Sequence, residues 1–93
     1  MPTAIVMIDT EQALIPEVAT QIAAVPGVSE VYSVTGEVDL IALVRVPDHR
    51  DFASVIADTM SKIPGVLKTR TYLAFREFSP TELDEAFDIG LEG

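Results

Sequence analysis

A four-residue phrase occurs twice in this chain: Val25-Pro26-Gly27-Val28 returns 38 positions later as Ile63-Pro64-Gly65-Val66. Each copy stands between a segment of helical period and a segment rich in β-formers, so the repeat predicts two βαβ-like halves. Between the halves lies Val34-Thr35-Gly36-Glu37-Val38-Asp39-Leu40-Ile41. Gly36 can take the positive φ of a tight turn there, and both flanks are apolar and partly β-branched, which predicts a central hairpin.

The flanking segments fill in this plan. Residues 4–9, Ala4-Ile5-Val6-Met7-Ile8-Asp9, form a short apolar run suited to an inner strand. Leu14, Ile15, Val18, Ala19 and Ile22 fall at helical spacing, and Pro16 fits only in the first turn, so the first helix is expected to start near Ile15. Residues 28–35 and 38–46 read as strands, the second stopped by Pro47. Asp48 can cap a second helix with Phe52, Val55, Ile56, Met60 and Ile63 on one face. Over residues 66–78 apolar positions alternate with Lys68, Arg70 and Arg76, which predicts a last strand. The order is strand, helix, strand, strand, helix, strand: an α+β, ferredoxin-like βαββαβ fold, one antiparallel sheet with two helices on one face. Residues 1–78 make this domain. Residues 79–93 follow as an appendage, in which Ser79-Pro80-Thr81-Glu82 spells a capping box and predicts a short acidic C-terminal helix.

The third strand is apolar on both faces, with Leu40, Ala42, Val44 and Val46 pointing one way and Ile41 and Leu43 the other. The first strand repeats this, with Ile5 and Met7 opposite Val6 and Ile8. Two helices cover one face of a four-stranded sheet, and the other would be a larger apolar patch than soluble monomers usually expose. The simplest cover is a second copy packed sheet to sheet, a homodimer. The alternative cover for Ile41 and Leu43 is the acidic C-terminal helix folding back.

Composition narrows the function classes. The 93 residues hold 48% hydrophobic residues, too many for a disordered chain, yet no apolar run approaches the roughly 18 residues that span a bilayer. No membrane contact is expected. The N-terminus lacks the basic and apolar regions of an export signal, so the expected location is the cytoplasm. Cysteine is absent, which removes disulfides and thiolate chemistry. Fifteen acidic against six basic residues give a net charge of −9, which repels a phosphate backbone, so direct binding to nucleic acid is not expected. Ferredoxin-like folds that bind RNA need aromatic residues on the central strands, and residues 38–44 have none.

Catalytic material is sparse. The single His49 stands beside Arg50 and Asp51 and reads as a solvated surface group. No grouping has metal-ligand spacing, and the scattered glycines form no phosphate loop, so no metal, cofactor or catalytic residue is predicted. Asp39 remains, a carboxylate just past the Gly36 turn at the start of an apolar strand. It either pairs with the ammonium of a small ligand at a subunit junction or bonds backbone amides of its own turn. Thr69 and Thr71 place two hydroxyls on one side of the last strand.

Thr35-Gly36-Glu37-Val38-Asp39-Leu40 resembles the Thr-Gly-x-x-Asp signature of the effector-binding domain, or RAM domain, of Lrp/AsnC transcriptional regulators. Val28 leading into Val31-Tyr32-Ser33-Val34, and Pro64-Gly65-Val66 leading into Thr69-Arg70-Thr71-Tyr72-Leu73, resemble the same family, so the likeness covers about residues 3–78. The resemblance implies a domain that pairs through its sheet, assembles further into rings of dimers, and binds a small amino acid at the junction between dimers. It carries a ligand-binding role to Gly36, Asp39 and Leu40, and to Thr69 and Thr71. Full regulators of the family carry a helix-turn-helix domain before this one, whereas this chain begins at the first strand and resembles a stand-alone form. The expected function is amino-acid or metabolite sensing and self-assembly, with a full-length Lrp/AsnC regulator as a further partner. Two rival readings stay open: a small dimeric α/β-barrel enzyme of oxygenase or isomerase type, whose interior would offer Asp39, Tyr32, Tyr72 and Arg45, and an ACT-like regulatory domain. The latter favours a glycine between first strand and first helix, where this chain has Asp9-Thr10-Glu11-Gln12-Ala13.

Overall fold

The computed structural model describes residues 1–78 and Pro80. Four strands, β1 Thr3–Thr10, β2 Val28–Ser33, β3 Leu40–Arg45 and β4 Val66–Leu73, form one antiparallel sheet in the order β2-β3-β1-β4. The helix α1, Ile15–Ala23, follows a 3₁₀ turn at Gln12–Leu14 and has Pro16 in its first turn, where the missing N–H costs no hydrogen bond. Alternation decides the layers. Ala4, Val6 and Ile8 of β1 and Leu40, Ala42 and Val44 of β3 are fully buried, and they meet Val18 and Ile22 of α1 and Phe52, Ile56 and Met60 of the second helical segment. Each of these side chains larger than alanine contributes about 1.5 to 3 kcal/mol on burial, so this single layer holds the sheet to its helices.

The repeated phrase becomes two identical turns. Val28 N–H donates to Val25 C=O and Val66 N–H to Ile63 C=O, both at 3.1 Å, with proline second and glycine third at φ +99° and +100°. Proline presets the first central φ and glycine supplies the positive second one, as a type II turn demands. Each turn is then tied to the other half of the molecule. Arg45 N–H, ending β3, donates to Gly27 C=O at 2.8 Å, and Glu11 N–H, just past β1, donates to Gly65 C=O at 2.9 Å.

Three expectations are corrected. The second helix is not a regular α-helix: it has one π-helical turn, Ala53–Ala57, and a 3₁₀ turn, Met60–Lys62. Asp58 N–H reaches back five residues to Ala53 C=O, and the Thr59 hydroxyl takes Ser54 C=O at 3.0 Å. Phe52, Ile56 and Met60 recur at a strict interval of four, which a 3.6-residue period would rotate off the core, and the wider turn brings them back into line. Asp48 accepts Arg50 N–H at 2.9 Å in the turn that precedes this segment, whose own N-cap, Phe52, makes no side-chain cap, and the Arg50 guanidinium holds the Asp48 carboxyl below the usual carboxylate range. Next, β4 ends at Leu73 rather than Phe78 because its neighbour β1 begins at Thr3; Ala74 N–H to Thr3 C=O is the last rung. Finally, the hairpin between β2 and β3 has a six-residue connection, residues 34–39, in place of a tight turn. The expected acidic helix of residues 79–93 lies, apart from Pro80, outside the described residues. Among the described residues no helix is long and apolar enough to cross a membrane.

Candidate functional site

The loop of residues 34–39 is closed by Val34 N–H donating to Asp39 C=O at 3.1 Å, with Gly36 exposed at φ +123°. Asp39 fastens this loop to β1 from both ends. Its N–H donates to Ile8 C=O at 3.1 Å, and its Oδ2 accepts Thr10 N–H at 2.8 Å, where the pairing of β1 with β4 shifts register. The carboxylate therefore braces the loop against a neighbouring strand rather than against its own turn.

The structure scatters the other residues expected at the site. Leu40 is fully buried on the helix side, beside Ile8 on β1. Thr69 and Thr71 stand opposite Ile8 and Val6 on β4, so they share that helix side. Thr69 is half-buried with its hydroxyl 3.4 Å from that of Ser61, and Thr71 is exposed. Gly36 and Asp39 remain together in the loop; the threonines do not join them.

On the opposite, outer face of the sheet the same loop overhangs an open groove of about 470 Å³. Its floor is a transverse row: Ile41 on β3 beside Met7 on β1 beside Arg70 on β4. Val34, Val38, Thr35 and Glu37 form the loop wall, and Tyr72 continues the β4 wall. Arg70 and Glu37 were not among the expected site residues, and Tyr72 was expected only in the interior of the rival enzyme reading. Period-two alternation separates Lys68, Arg70 and Tyr72 from Thr69 and Thr71, but which set faces the helices depends on how β4 is aligned with β1.

The rest of the outer face is apolar at its centre and polar at its rim. Ile5 and Leu43 stand side by side next to Met7 and Ile41, all half-buried, flanked by exposed Tyr32 and Tyr72. Arg45 lies 3.6 Å from Glu30 and donates to Ser29 at 3.0 Å. The Tyr32 phenol donates to Glu30, whose carboxylate raises it above the usual phenol range.

A family model for the Lrp/AsnC ligand binding domain matches residues 3–83. Among solved structures, TTHA0845 from Thermus thermophilus superposes with a TM-score of 0.81 at 40% identity, over 85% of this chain and 99% of that one. Among curated proteins, the uncharacterized HTH-type transcriptional regulator PH1916 of Pyrococcus horikoshii is 42% identical over 59 residues, 63% of this chain and 39% of its own length. The leucine-responsive regulatory protein of Escherichia coli K12 is 31% identical over 58 residues, 62% of this chain and 35% of its own length. The chain thus spans well under half the length of these two regulators.

Proposed function

The chain belongs to the Lrp/AsnC ligand-binding domain family, and from that premise we propose that it is a cytoplasmic, oligomerising sensor of an amino acid or related metabolite. It performs no catalysis and influences transcription through protein partners, among them further copies of itself and a full-length regulator of the family. The observation that carries this reading is the position of the loop with the family signature, which overhangs an apolar groove with charged walls. The name of the leucine-responsive relative supports an amino acid as the ligand class. The half-buried apolar patch of Ile5, Met7, Ile41 and Leu43 supports pairing through the sheet, since a patch of this kind is stable in water only when covered. The other cover, the acidic tail, lies outside the described residues.

In this reading Gly36 and Asp39 shape the loop, Leu40 anchors its end in the core, and Thr69 and Thr71 serve a ligand or partner that approaches the helix side. Native mass spectrometry of the purified chain tests the proposal, because it reports subunit number and bound small molecules in one measurement. Even-numbered assemblies that take up an added amino acid are expected. A monomer that takes up none of the common amino acids overturns the reading.

A further inference from the structure

Among the described residues the helix layer stops short of the β4 edge of the sheet. Thr71 and Leu73 share the helix side with Val6 and Ala4, their partners on β1, yet Val6 and Ala4 are fully buried whereas Thr71 is exposed and Leu73 is 59% exposed. Beside Leu73 lies a hollow of about 320 Å³, walled by Leu73, Ala74 and the fully exposed Phe75 on one side and by Pro2, His49 and Phe52 on the other. A single exposed leucine is ordinary, but two large apolar side chains around a hollow form an unpartnered surface. We infer that the acidic tail of the same chain fills this hollow, with Leu83 and Phe87 packed against Phe52, Leu73 and Phe75.

The chain supplies this occupant with the right pattern and at the right distance. At helical spacing Leu83, Ala86, Phe87 and Leu91 fall on one side, and Glu82, Asp84, Glu85, Asp88 and Glu92 on the other. From Phe75 to Ser79, where the capping box starts, the chain travels at most about 13 Å, four residues at about 3.3 Å each. A helix running back from Ser79 to Phe87 rises about 12 Å, eight residues at about 1.5 Å each, so Phe87 returns level with Phe75 and Leu83 lies halfway. Charge decides what kind of contact this is. The tail holds five of the fifteen acidic residues and none of the six basic ones, and the rest of the chain is itself net negative, so the two repel and burial of apolar surface must hold them together. Salt screens that repulsion and should tighten the contact. With the tail on the helix side, Ile41 and Leu43 stay open for pairing.

The absence of cysteine makes the test direct, because a single one introduced on the acidic side of the tail takes a single nitroxide label. The full chain carrying Asp88→Cys and the label should show broadened amide signals for His49, Phe52, Leu73 and Phe75 in nuclear magnetic resonance spectra, with those of Ile41 and Leu43 left sharp. Adding Leu83→Ser and Phe87→Ser should sharpen the broadened signals again, and high salt should not. Broadening centred on Ile41 and Leu43 would place the tail on the outer face, and no broadening at all would leave it in solvent; either result overturns the inference, as does release of the tail by high salt. Mixing labelled chains with unlabelled, isotope-enriched ones settles whose tail it is. No broadening is expected in that mixture, and its appearance would assign the hollow to the tail of a neighbouring subunit and overturn the same-chain contact.

Discussion

Two glycines with positive φ have different costs of replacement. At Gly65 an added methyl would lie 2.6 Å from Val18 Cγ2 and 3.2 Å from Leu14 Cδ1, so a side chain there meets both backbone strain and the packing of α1. At Gly36 nothing stands within 4 Å, and strain acts alone. Gly65→Ala should therefore lose about 2 to 4 kcal/mol of stability and Gly36→Ala about 1 to 2. Urea denaturation of the two variants checks the order, and equal losses would contradict the packing argument. Thr10 gives the opposite sign. Its side chain is 4% exposed, and its hydroxyl has no partner among the described residues. Thr10→Val keeps the shape and removes that hydroxyl while the N–H to Asp39 stays, so it should be neutral or stabilising by up to about 1 kcal/mol. A fall in melting temperature would mean that the hydroxyl is satisfied in solution.

At the scale of elements, α1 has the regular ladder of an α-helix and the segment after Asp48 has the broken one of a π turn followed by a 3₁₀ turn. Hydrogen–deuterium exchange should accordingly be faster over residues 51–62 than over α1, even though both bury apolar side chains. The paired turns were legible in the sequence because Pro-Gly at those places admits few geometries, and β1 and β3 because each is a short apolar run bounded by polar residues or proline. The π turn was not legible: Phe52, Ile56 and Met60 satisfy a helical template to within its tolerance, and only three-dimensional packing decides how wide the turn must be. The groove was half legible. Its loop wall was marked by Thr35-Gly36-Glu37-Val38-Asp39, whereas Arg70 joins it only through its register opposite Met7, which no local pattern encodes. Asp39 was noticed for the right reason, a carboxylate beside apolar residues, but the Thr10 amide that satisfies it is 29 residues away in sequence.

For the whole molecule, the reciprocal bonds of Gly27 to Arg45 and Gly65 to Glu11 fasten each half to the other, so the chain should unfold as one unit in spite of its internal repeat. Coincident thermal transitions by circular dichroism and tyrosine fluorescence are expected; a two-step melt would show that the halves are separable. The outer face makes a second prediction at this scale. Leu43→Glu puts a carboxylate into the middle of the proposed pairing surface and should shift the protein toward monomer in sedimentation equilibrium, with its secondary structure retained. A variant that stays a dimer would place the contact elsewhere. Met7 and Ile41 belong both to the floor of the groove and to this surface. On the proposed reading, occupancy and association are then not independent equilibria: whatever factor one exerts on the other is returned in full. The abundance of such a sensor becomes a term in its own calibration, and a cell sets the metabolite level at which it responds partly by how much of the protein it makes.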